Sequence, residues 1–218
     1  MKLENRDIIF VSNALANGGA ARVISVLAAE LSARGKRVGI AVFNHYEGEY
    51  AVPDDVQEVY GPEGASTVSK ARRIAWVRGV AKNNPNACIV AFEYFVNMQT
   101  IVACAGLPNR VVISERNDPA RVGSGKKTNW LRELLYSHAD MLVCQTEDAA
   151  AYFSDKINKT VILNPIKEGL PKPFQGERRH AVVCFCRLEK QKNLSMLIRA
   201  FSDFSKVHGD WVLEIYGD

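Results

Sequence analysis

The sequence predicts an α/β protein whose centre is a parallel sheet wound with helices on both faces. Three observations predict it. Short apolar runs recur along the chain, helix-period segments separate them, and the runs lack the apolar–polar alternation of a sheet with one wet face. With 47% hydrophobic and 24% charged residues, the 218-residue chain has the material for a proper core and no sign of disorder.

Ile8 to Ser12 reads as the first strand. Ala20 to Arg34 follows as a helix with Val23, Leu27 and Leu31 on one face, then a strand from Arg37 to Phe43. A short strand near Val56 to Tyr60 leads to a helix from Ser66 to Asn83. Strand Ala87 to Phe92, helix Tyr94 to Ala105, strand Arg110 to Ser114 and helix Thr128 to His138 come next. Strand Met141 to Cys144, helix Glu147 to Phe153 and strand Thr160 to Leu163 complete the alternation. Right-handed crossovers between such strands give a Rossmann-like, doubly wound layer structure.

Residues 164–179, NPIKEGLPKPFQGERR, hold three prolines and two glycines and read as a linker. The predicted organisation is therefore a domain over 1–163, the linker, and the start of a second Rossmann-like domain over 180–218. That second part contains strand Ala181 to Cys186, helix Asn193 to Val207 and strand Trp211 to Tyr216. A single β–α–β unit leaves sheet edges bare, so this part is expected to be a fragment, or to lean on the first domain or on another copy.

A net charge of +4 and a pI near 8.8 fall short of a dedicated nucleic-acid binder. The five cysteines lie in apolar stretches, Cys184 and Cys186 on one strand face, and read as buried reduced thiols. The start, MKLENRDIIFVS, has charges where a signal peptide needs an apolar run, and no stretch of eighteen apolar residues could span a membrane. A cytoplasmic protein is the expectation.

Two strand-to-helix junctions carry candidate chemistry. In VSNALANGGAARV, Gly18 and Gly19 lie between the first strand and first helix. Paired glycines there allow close backbone approach to a phosphate or sugar at a helix N-terminus, or simply make a tight turn that needs positive φ. In CFCRLEKQKNLSMLIRAF, Arg187 closes an apolar strand and Lys192 precedes the next helix. Both could reach a diphosphate above the strand ends, and the alternative is a solvated basic loop. The dinucleotide fingerprint G-x-G-x-x-G is absent, which argues against a nicotinamide oxidoreductase.

NGGAARVISVLAAELSARGKRV, ISERNDP, ILNPI and CRLEKQKNLSMLIRAF together resemble the retaining glycosyltransferases of family 4, whose GT-B architecture has two Rossmann-like domains. The resemblance runs from about Ile8 to Asp218. It implies an acceptor-side N-terminal domain and a C-terminal domain that holds a nucleotide-diphosphate sugar, UDP- or GDP-linked. It implies that Arg187 and Lys192 neutralise the donor diphosphate, and that Gly18 and Gly19 form the loop beside the diphosphate and the reacting sugar. Transfer with retention to a saccharide or lipid-linked acceptor follows, in polysaccharide or glycolipid assembly, with no cofactor and no nucleic acid. The leaving phosphate would take the acceptor's proton, which makes a protein base dispensable.

The sequence also departs from that pattern. The fifth strand ends in Ser114-Glu115-Arg116-Asn117-Asp118 where relatives carry a histidine. Glu115, Arg116 and Asn117 are candidates to contact donor or acceptor, with capping or loop ion pairs as the alternative. Ala21 replaces the usual acid after the glycine pair, no Glu-x7-Glu motif occurs, and no Asp-x-Asp stands ready for a metal. The chain alone is thus expected to transfer sugar poorly, and a non-catalytic acceptor-binding module is the alternative reading. Arg116, Arg121, Lys126, Lys127 and Arg132, and a second set in Lys70, Arg72, Arg73, Arg78 and Lys82, predict basic surfaces suited to an anionic membrane or a lipid-diphosphate acceptor. The acidic stretch from His45 to Glu63 reads as an exposed loop without chemistry.

Overall fold

The computed structural model describes residues 3–16, 18–61, 69–122, 125–166 and 172–217. They form two compact units, 1–166 and 167–218. In the first, seven strands make one sheet: β1 (Ile8–Ser12), β2 (Val38–Val42), β3 (Gln57–Tyr60), β4 (Cys88–Phe92), β5 (Val111–Ser114), β6 (Met141–Cys144) and β7 (Lys159–Val161). Their order is β3-β2-β1-β4-β5-β6-β7 and every pairing is parallel. The helices between them are α1 (Gly19–Ala33), α2 (Lys70–Lys82), α3 (Tyr94–Cys104), α4 (Lys126–Tyr136) and α5 (Glu147–Ala151).

Strand alternation divides the core between the two faces. Phe10, Ile40 and Val42 pack with Val23, Ile24 and Ala28 of α1, while Ile9, Val11, Ile89 and Ile113 pack with Val77 and Val80 of α2 and Val96 of α3. Each such fully buried Val or Ile is worth about 1.5–3 kcal/mol relative to exposure. Mostly buried on both faces, β1, β2, β4 and β5 need no polar alternation, which is why they read as apolar runs, whereas the edge strands β3 and β7 are only partly buried.

Most element ends fall close to expectation. The helix expected from Ser66 starts at Lys70, where Ser69 caps it by accepting from the Arg72 amide; residues 66–68 lie outside the described residues. α4 begins at Lys126, two residues before the expected Thr128, on Gly125 at φ +130°. β7 ends at Val161, and Leu163 is exposed.

The second unit holds β8 (Ala181–Phe185) paired in parallel with β9 (Val212–Tyr216), and α6 (Leu194–Ser205). A two-stranded sheet with one helix covers its side chains only partly. The cysteines follow the packing: Cys104 and Cys144 are buried, whereas Cys88, Cys184 and Cys186 are half-buried rather than fully buried as expected. Cys184 and Cys186 do share a strand face, with sulfurs 3.6 Å apart.

Candidate functional site

In an open α/β sheet, ligands collect beyond the carboxyl ends of the strands where the strand order reverses. Here that switch point lies between β1 and β4. Asn13 follows β1, and Glu93 follows β4.

Gly18 is the N-cap of α1 and is extended (φ −167°, ψ 161°), so a positive φ is not the reason for glycine. A Cβ at either Gly18 or Gly19 would meet nothing within 4 Å among the described residues, so packing against them is not the reason either. No side chain caps this helix and its first turn has no acid. The result is an open, partly positive helix start, suited to an anion or a close-lying ligand.

Glu93 is a residue the sequence did not single out. It alone joins β4 to α3, at φ +78° and ψ 143°, a region that side-chain-bearing residues avoid. Burial pushes its carboxyl up from the usual carboxylate range, and the carboxyl has no hydrogen bond or ion pair among the described residues. Glu93, Asn13, Lys70, Arg73 and Asn117 line a groove of about 580 Å³. Lys70, Tyr94, Phe95 and Gln99 also line a second groove of about 440 Å³, whose walls include Ile74, Met98, Val102 and Leu131. One end of the combined depression mixes charged and amide side chains with apolar surface, and the other is almost wholly apolar.

Glu115 does not reach this groove. It is 2% exposed, and its Oε2 accepts from the Tyr136 hydroxyl at 3.0 Å. Asn97 donates to that hydroxyl at 3.1 Å and to the Ser114 carbonyl at 2.9 Å, tying α3 and α4 to the end of β5. A candidate for substrate contact is therefore an interior carboxyl. Burial raises its pKa above the ordinary 4.5, and the Tyr136 bond and Arg132 oppose this only partly. A raised carboxyl binds its proton more tightly in the folded than in the unfolded chain. Its contribution is therefore full below 4.5 and is lost as pH rises through the folded value. Glu115→Gln is expected to remove this slope. Urea titrations at about pH 5 and pH 8 should find the variant gaining on the parent protein as pH rises.

Arg116 is half-buried, with its guanidinium 4.4 Å from the Phe92 ring centre, and donates to Asn164 at 2.7 Å. Burial lowers its pKa to about 10. Asn117 is exposed at the polar groove. The expected basic surfaces are correspondingly thinner. Arg132 is 1% exposed, Arg121 pairs with Asp118 at 3.2 Å, and Arg78 donates to the Ala103 and Ala105 carbonyls at the end of α3. Lys70 and Lys127 stay at the groove rim, beside Phe95 (58% exposed) and Trp130 (66%). The side chain of Lys126, and Ser124, lie outside the described residues. The expected acidic loop is partly organised, with Glu49 bonded to His45 and Tyr60.

In the second unit Arg187 follows β8, and a 3-10 turn over Lys190–Lys192 leads into α6. No periodicity in the sequence marks this turn. The Cys186 amide donates to the Tyr216 carbonyl at 3.0 Å, fixing where the turn leaves the sheet. Arg187 pairs with Glu189 at 2.8 Å, both about half exposed, and Lys192 is exposed. Such a surface pair is worth under about 1 kcal/mol, so an incoming anion can displace the carboxylate. Among the described residues no His, Cys, Asp and Glu group could hold a metal ion, and no helix is long and apolar enough to cross a membrane.

Comparison with known proteins bears on this arrangement. A curated relative from Campylobacter jejuni, GalNAc-alpha-(1->4)-GalNAc-alpha-(1->3)-diNAcBac-PP-undecaprenol alpha-1,4-N-acetyl-D-galactosaminyltransferase, is 24% identical over 208 residues, spanning 91% of this chain and 57% of its own length. Sucrose-phosphate synthase from Thermosynechococcus elongatus shares the fold with a TM-score of 0.76 at 11% identity, over 97% of this chain and 62% of that one. A lipopolysaccharide outer core galactosyltransferase gives 0.64 at 16%, over 96% and 60%. The chain thus spans roughly three-fifths of the length of these proteins. Residues 18–161 match the description "Glycosyl transferase 4-like domain". That match begins at the open glycine pair and runs to the last strand of the seven-stranded sheet, and the chain belongs to this glycosyltransferase family, on a GT-B-type α/β scaffold.

Proposed function

We infer that the chain serves sugar transfer, with retention, from a UDP- or GDP-linked donor to a saccharide or lipid-linked acceptor in polysaccharide or glycolipid assembly. One observation carries the reading. A member of this family has an open, uncapped helix start at Gly18 and Gly19 and, after β8, a turn presenting Arg187 and Lys192.

The chemistry follows from charge. As the glycosyl–phosphate bond breaks, negative charge gathers on the departing diphosphate and the sugar becomes oxocarbenium-like. Arg187 exchanges Glu189 for two diphosphate oxygens, its planar fork donating in parallel, and Lys192 adds a compact charge. Within the first unit, the uncapped start of α1 offers its free amides to an anionic or close-lying group, and preorganised donors of this kind are a large catalytic lever. The acceptor proton passes to the leaving phosphate, so no side-chain base is required.

The acceptor reading draws on the groove. The curated relative's name describes an acceptor in which a diphosphate joins saccharide to undecaprenol. Here a polar groove merges into an apolar one with Lys70 and Lys127 at its rim. Exposed Trp130, Leu131 and Leu134 beside Lys127 support a peripheral seat on an anionic membrane at its cytoplasmic face.

The test supplies the 218-residue chain, whose turnover alone is expected to be slow, with a panel of UDP- and GDP-sugars and a polyprenyl-diphosphate saccharide over long incubations, and reads the product's anomeric configuration by NMR. The expected product keeps the donor's configuration. Gly19→Ala, which adds a methyl only to open space, should leave the thermal midpoint within about 2 °C and slow transfer at least about tenfold. Acceptor binding without transfer from any donor would instead assign the chain an acceptor-binding role.

A further inference from the structure

We propose that Glu93 is an acceptor-binding carboxylate, which accepts a hydrogen bond from a hydroxyl of the sugar seated in the polar groove between Asn13 and Asn117. The proposal deepens the function given above and rests on it for the presence of an acceptor sugar.

Glu93 is poorly explained by the fold. Its side chain does not cap α3, although it occupies the N-cap position. Its backbone angles suit glycine, so a glutamate there works against local stability. A single residue turns the chain from strand into helix, and that sharp elbow puts its side chain in the groove beyond the carboxyl end of central strand β4. Strained strand-to-helix elbows present reactive side chains in the same way elsewhere. The elbow also lies at the strand-order switch, where a ligand is expected on topological grounds.

The surroundings select the ligand class. The carboxyl is half-buried, is pushed toward protonation by burial, and has no bonded partner among the described residues. The Asn13 and Asn117 amides line the same groove and can both donate and accept. A carboxyl here suits a neutral ligand rich in hydroxyl donors, whereas an anionic group is better placed beside Lys70 in the same groove. The groove continues into the apolar walls of Phe95, Met98, Val102 and Leu131, so a sugar bound at Glu93 can carry a hydrocarbon chain leading away from it. The anionic link of such a ligand lies nearer Lys70, whose ammonium is 6.0 Å from the Phe95 ring centre.

The experiment titrates the 218-residue chain calorimetrically with octyl glucoside, octyl galactoside, octyl N-acetylglucosaminide and octyl phosphate, each below its micelle concentration. At least one octyl glycoside is expected to bind. Glu93→Gly should weaken it about tenfold, leave octyl phosphate unchanged and raise the thermal midpoint by about 2 °C as backbone strain is relieved. Glu93→Gln, which keeps an acceptor oxygen, should recover part of the affinity, and Glu93→Asn, which tolerates positive φ, repeats the test if the glycine variant folds poorly. Unchanged glycoside affinity in Glu93→Gly, or an equal loss for glycoside and phosphate, overturns the role of Glu93 alone. Failure of every octyl glycoside to bind the parent protein overturns the acceptor reading together with it.

Discussion

Arg132→Ala is expected to destabilise the 1–166 unit by about 3–5 kcal/mol, the combined scale of a large buried truncation and two unpaired buried carbonyls. The guanidinium of Arg132 donates to the Pro119 carbonyl at 3.0 Å and to the Val122 carbonyl at 3.2 Å. It also packs over three rings, 5.4 Å from Tyr94, 5.0 Å from Tyr152 and 5.3 Å from Phe153. Alanine would leave both carbonyls unpaired and open a cavity among those rings. Arg132→Met restores volume without donors. Recovery of about half the loss would divide the cost between packing and hydrogen bonds. Urea unfolding followed by tryptophan fluorescence measures both variants. The consequence reaches function, because the segment held by Arg132 includes Val122, which lines the polar groove.

Arg187→Ala and Lys192→Ala are each expected to slow donor turnover by about 10²–10³ while weakening binding of the intact donor much less. The reason is the timing of the charge: the bond being broken sheds its electrons onto the diphosphate only in the transition state. Arg187→Lys should recover part of the rate, because an ammonium supplies charge but not the paired donors of a planar fork. The loss should be largest when the acceptor is good and bond cleavage limits the rate. Steady-state and single-turnover rates, with donor affinity measured separately, check this. Equal losses in affinity and rate would mean that the two cations only hold the donor.

The alternation of strands and helices was legible chiefly in β1, β2, β4 and β5, whose residues are mostly buried, so apolar runs mark them; the edge strands β3 and β7 are partly exposed and carry a weaker signal. Ends were harder where no capping residue marks them: α4 starts on Gly125 at φ +130°, and the 3-10 turn at Lys190–Lys192 has no periodicity of its own. Gly18, Gly19, Arg187 and Lys192 lie at strand-to-helix junctions, where their motifs place them. Arg132 and Glu115 misled for a common reason. In a linear sequence both sit among charges and look solvated, but their partners come from distant segments: Tyr94, Tyr152 and Phe153 for one, Tyr136 and Arg132 for the other. Glu93 left only a faint signal, one charge between apolar Phe92 and Tyr94, and its importance rests on backbone angles that composition does not encode.

The most direct measurement of the central claim is a calorimetric titration of UDP and GDP into the 218-residue chain and into its Arg187→Ala/Lys192→Ala double variant. The leaving diphosphate carries the charge that the two side chains are said to offset. One of the two nucleotides should therefore bind the parent protein, with affinity falling about a hundredfold in the double variant and declining as salt is raised. Equal affinity in parent and variant, unaffected by salt, would contradict the account.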